Sequence, residues 1–139
     1  MESLNWINGQ ISRTQNSLYM LNAQLDEKRR ELERLALVHS NLYDYQKELK
    51  QHRDLCVNPE LSETTWYGQL ANQFKQYRDQ EILSNYQSLY DYQLVQTLDQ
   101  LNDKIRETKQ AIIDIRMDVS THNTELDHLY DKQRRELMS

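Results

Sequence analysis

The chain is expected to be all-α, a long antiparallel helical hairpin of coiled-coil character. Three observations predict this. There are only two glycines and one proline in 139 residues, too few turn-formers for a sheet. Leucine and isoleucine recur with a seven-residue period over most of the length. The unusual residues gather in one short segment, "NPELSETTWYGQLANQF", residues 58–74.

The first helix is read over about residues 3–56. Its apolar residues fill a template at 4, 7, 11, 14, 18, 21, 25, 28, 32, 35, 39, 42, 46 and 49, with Thr14, Lys28, His39 and Gln46 as polar interruptions. A seam this long is a strong helix signal, because only a regular α-helix keeps such a repeat on one side. Val38 and Tyr45 add a second, adjacent stripe, where the seam widens or shifts.

The turn is read over about residues 57–63. Pro59 disfavours helix at Asn58. Ser62 or Thr64 has the hydroxyl that caps a helix start, and Glu60 and Glu63 suit its positive end.

The second helix is read over about residues 64–137. Its seam starts at Trp66, Leu70, Phe74 and Tyr77 and runs less regularly through Ile82, Leu83, Tyr86, Leu89 and Tyr90. The reading allows a kink or register shift over 78–92. From Leu94 the heptad is clean through Leu98, Leu101, Ile105, Thr108, Ile112, Ile115, Val119, His122, Leu126 and Leu129, and Leu137 closes it. The second helix is longer than the first, so its last 20 or so residues are expected to overhang unpaired. Leu126 and Leu129 would then need another chain. The residues expected to pack against a partner are Leu98, Leu101, Ile105, Ile112, Ile115, Val119, Leu126 and Leu129.

Composition narrows the function. Net charge is −5 with no single-sign basic cluster, which argues against nucleic-acid binding. No apolar run approaches the roughly 20 residues of a membrane span, and the start has no ordinary signal peptide. A protein made and kept in the cytoplasm is expected. Cys56 is the only cysteine, so no intramolecular disulfide forms. The four histidines lack metal-ligand spacing, and no phosphate loop or nucleophile–base set is present. No cofactor, metal or catalytic residue is expected, and the chain is read as a binding protein and not an enzyme.

Trp66 and Gly68 stand two apart at the start of the second helix, an expensive choice for a helix interior. A glycine there lets a neighbour approach the backbone, with the indole beside the gap. A two-helix hairpin with Trp-x-Gly at its turn resembles the WXG superfamily of type VII secretion proteins. The longer stretch is similar to the YwqH-like family, through Pro59, Glu60, Leu61, Ser62, Trp66, Gly68, Ala71 and Phe74. The resemblance spans roughly residues 15–120.

It implies an accessory protein that pairs with the helical LXG domain of a polymorphic toxin of Gram-positive bacteria. A second small helical accessory protein often joins that complex, which is delivered to the secretion ATPase. The resemblance also implies a composite signal, Trp66 and Gly68 with a Tyr-x-x-x-Asp/Glu string. One such string is present, from Tyr77 to Glu81. Nine tyrosines and 22 acidic residues make about one such string the chance expectation, and it lies far from the C-terminal end where such strings usually stand. Whether the chain is co-secreted with its cargo stays open at this stage. So does the alternative, a self-associating structural coiled coil with no secretion role.

Overall fold

The computed structural model describes residues 3–57 and 68–139. Helix α1 covers Leu4–Gln51 and is followed by a 3-10 turn at Arg53–Cys56. Helix α2 covers Gln69–Tyr77. A π-helical segment at Arg78–Leu83, helix α3 at Ser84–Ser88 and a second π-helical segment at Leu89–Gln93 lead into α4, Leu94–Met138. Among the described residues there is no strand. The fold is an all-α helical hairpin, and the expected turn at 58–63 lies outside the described residues.

The chain divides into two compact units. The first joins Met1–Arg34 to Ile105–Ser139. Its core is Ile7, Ile11 and Leu129, with Leu126 and Tyr130 packed against them. Ile7 is 1% exposed. Burying one such side chain contributes roughly 1.5–3 kcal/mol. Two amide bonds hold the antiparallel register: Gln15 Nε2 donates to the Tyr130 hydroxyl at 2.8 Å, and Gln133 Nε2 donates to Asn8 Oδ1 at 2.8 Å.

This register corrects the expected overhang. Leu126 and Leu129 are covered by the start of α1, not left for another chain. Leu137, expected to close the seam, is 65% exposed. The half-buried Gln133 and Glu136 continue the steps of three and four instead.

The second unit is Leu35–Lys104. Buried Gln46 donates from Nε2 to the carbonyl of Tyr90 at 2.8 Å, and the Tyr86 hydroxyl donates to the Leu49 carbonyl at 2.6 Å. Continuing the pairing of 46 with 90 one for one, residue 57 reaches the level of residue 79. The surplus length of the second arm therefore falls on α2, beside the connection.

All fourteen template positions of α1 are buried or half-buried, the four polar ones included. Three of these polar residues are tolerated by a local device. Thr14 is small enough to be buried at 5% exposure, and Lys28 keeps its ammonium on Glu31 at 3.1 Å. Gln46 spans to the opposite backbone.

The π segments have a sequence cause. Steps of three and four back from Leu98 and Leu94 land on Asp91, Gln87, Ser84 and Gln80, which a seam does not accept. Each π turn takes up one extra residue and rotates the inward side. The covered residues become Tyr90, Tyr86, Leu83, Arg78 and Ala71. The seam expected at Leu70, Phe74, Tyr77, Ile82 and Leu89 is thereby corrected: these are 71%, 43%, 57%, 41% and 37% exposed.

Candidate interaction site

The second unit holds most of the residues singled out by sequence. Gly68 is the N-cap of α2, and its carbonyl accepts from the Asn72 N–H at 3.2 Å. Its backbone stands at φ 94°, ψ −172°, a region essentially restricted to glycine. A Cβ added there would meet nothing within 4 Å. Backbone conformation, and not close approach of a neighbour, therefore requires this glycine. Gly68 also lies before the helix, where the sequence reading had it inside the first turns. Trp66 lies outside the described residues.

Gly68→Ala is expected to cost about 1–3 kcal/mol, the strain of placing a side chain in that region. Hydrogen exchange should show faster opening of α2 amides, with those of the first unit unchanged.

Tyr77 ends α2 and Glu81 sits in the first π segment. Both are exposed. Between them Arg78 is buried at 6% exposure, with Nε 3.9 Å from Asp79 Oδ1. The string is therefore a surface pair around a buried guanidinium.

Deeper in the unit is a tyrosine cluster. The rings of Tyr86 and Tyr90 meet edge to face at 5.7 Å, and Lys50 Nζ stands 6.0 Å from the Tyr90 ring centre. Burial pushes the Tyr86 phenol above its usual range, and Cys56 and Tyr90 push it the same way. The phenol thus stays protonated and keeps its bond to the Leu49 carbonyl. In the amide orientation that satisfies both groups, Gln87 Oε1 accepts from Arg53 Nε at 2.7 Å. This network fixes the second unit's register.

The residues expected to meet a partner occupy the intramolecular seam. Leu98, Ile112 and Leu129 are buried, and Leu101, Ile105, Ile115, Val119 and Leu126 are half-buried. Only their outer edges remain for another chain. What sequence reasoning missed is that Leu70, Phe74, Tyr77, Ile82 and Leu89 face outward. The polar run at 80, 84, 87 and 91 was the readable sign.

Among the described residues, no group of three His, Cys, Asp or Glu side chains is placed to hold a metal ion. No helix there is long and apolar enough to cross a membrane. No family model, curated protein or solved structure matches the chain.

Proposed function

We propose that this chain is a non-enzymatic accessory protein that binds the helical LXG domain of a polymorphic toxin and helps present it to a type VII secretion system. The observation that carries the reading is the helical hairpin, taken with a Pro59–Phe74 sequence motif that runs into a helix with exposed leucine and tyrosine. Large apolar side chains left in water beside an otherwise satisfied seam favour a protein partner. In this reading Trp66 and Gly68, with Tyr77 and Glu81, present the docking feature for the secretion ATPase. The LXG domain, joined where present by a second small helical accessory protein, packs along the hairpin. The complex assembles in the cytoplasm, and the toxin is stabilised because its own apolar stripe is covered.

Co-expression with the LXG domain tests this. A 1:1 or 1:1:1 assembly by light scattering is the expected result. Trp66→Ala should leave that assembly intact and lower toxin export. A stable homodimer that ignores the LXG domain would establish the alternative, a self-associating coiled coil.

A further inference from the structure

Two carbonyls of the second unit lose their own helix's donor, and each is taken up by a side chain of the other arm. The first is that of Tyr90. In an α-helix it would accept from the Leu94 N–H, but across the second π segment that N–H donates to the Leu89 carbonyl, five residues back. The Tyr90 carbonyl accepts from Gln46 Nε2 at 2.8 Å instead, and Gln46 is buried. The second is that of Leu49, one of the last four carbonyls of α1. The Glu48 carbonyl before it accepts from the His52 N–H at 3.0 Å, while that of Leu49 accepts from the Tyr86 hydroxyl at 2.6 Å. The edge-to-face contact of Tyr86 with Tyr90 ties the two bonds together.

The Tyr90 bond sits where it controls rotation. One extra residue is about 100° of helical turn. The π turn at Leu89–Gln93 therefore sets how everything before it, α2 included, is rotated relative to Leu94 and Leu98. With the turn in place Leu83, Tyr86 and Tyr90 are covered, and without it the covered positions would be Ser84, Gln87 and Asp91. The polar run disfavours that second arrangement, but it does not fix where the extra residue is taken up. A buried carbonyl with a donor placed to meet it does.

We infer that Gln46 is a positioning residue: its amide holds the π turn at Leu89–Gln93 and so aims the stretch that carries Tyr77 and Glu81. A glutamine thus occupies a heptad position of α1 where leucine would otherwise serve. The inference rests on the docking reading above only for what Tyr77 and Glu81 do once aimed. Its test needs no partner, so it can fail while that reading stands, and the reading can fail while it holds.

The test uses the full chain with Ser84→Cys as the one thiol, in a Cys56→Ser background. Ser84 is exposed, and it would be covered if the π turn annealed into α-helix. Gln46→Met keeps the length of the side chain and removes the donor. Labelling of the Ser84→Cys thiol by a maleimide is expected to slow at least tenfold with Gln46→Met, at wild-type helicity by circular dichroism. Labelling as fast as with Gln46 in place would overturn the inference. Should Gln46→Met cost the unit its helicity, Asp91→Leu decides, because it removes the charge that opposes annealing and leaves Gln46 in place. The thiol should then label as fast as before. A tenfold slower rate would mean that the polar run alone holds the π turn, and the inference would be overturned.

Discussion

Ile7→Asp is expected to separate the two arms of the first unit. Ile7 is 1% exposed and packs with Ile11 and Leu129. The substitution removes the burial of a large aliphatic side chain, roughly 1.5–3 kcal/mol. It also leaves an uncompensated carboxylate in an apolar contact, which costs about 3–5 kcal/mol when no partner is present. The sum is a large fraction of the ~5–15 kcal/mol that holds an ordinary domain folded. Guanidinium denaturation followed by helicity should show the midpoint falling sharply. Amides of residues 4–34 and 105–138 should lose protection together. Leu137→Asp is the matched control. The heptad pattern alone ranks Leu137 with the seam, but it is 65% exposed, and its replacement should stay within about 0.5 kcal/mol.

Tyr90→Ala should have the largest effect in the second unit. Tyr90 is 5% exposed, holds Tyr86 edge to face, and stands at the turn whose carbonyl receives Gln46. Truncating a buried aromatic costs about 3–5 kcal/mol. Loss of its ring should also loosen the bond from the Tyr86 hydroxyl to the Leu49 carbonyl, since the two rings brace each other. Hydrogen exchange should therefore report opening of residues 42–57 and 78–98. Tyr92, two places on, is 59% exposed, and Tyr92→Ala should be close to neutral. A seam without the π segment would face Asp91 inward, and the ranking of these substitutions would not follow.

The contrast between Tyr90 and Leu70 shows what a sequence of this kind reveals. In α1 every template position is covered, even Lys28 and His39, because an uninterrupted α-helix carries its period unchanged. The same held from Leu94 to Leu129. Between residues 69 and 93 the period broke. A π turn adds a residue without any glycine or proline to announce it, so Leu70 and Tyr77 looked inward while the structure turns Ala71 and Arg78 there. The pairing level was also misplaced. The reading started the second arm's pairing directly after the turn, but the contacts of Ile7 with Leu129 and of Gln46 with Tyr90 slide it along by more than a dozen residues. Local pattern sets which side of a helix is apolar, and it does not set how far one helix slides along another.

The candidate site was legible in a different measure. Gly68 is required by its backbone conformation, not by the close approach read from the sequence. Tyr77 and Glu81 are both exposed, although the seam pattern had turned Tyr77 inward. Val38 and Tyr45 were visible as a second stripe on α1, and both are exposed.

The central claim is that the chain satisfies its own seam out to its C-terminal end. Spin labels at Ser12 and Asp127, both on the surface of the first unit, test it most directly in a Cys56→Ser background diluted with unlabelled protein. Two helices packed about 10 Å apart predict a narrow intramolecular distance below about 30 Å. A broad distribution centred well beyond that, or a short distance that vanishes on dilution, would mean that Leu126 and Leu129 wait for another chain, and the account would fail.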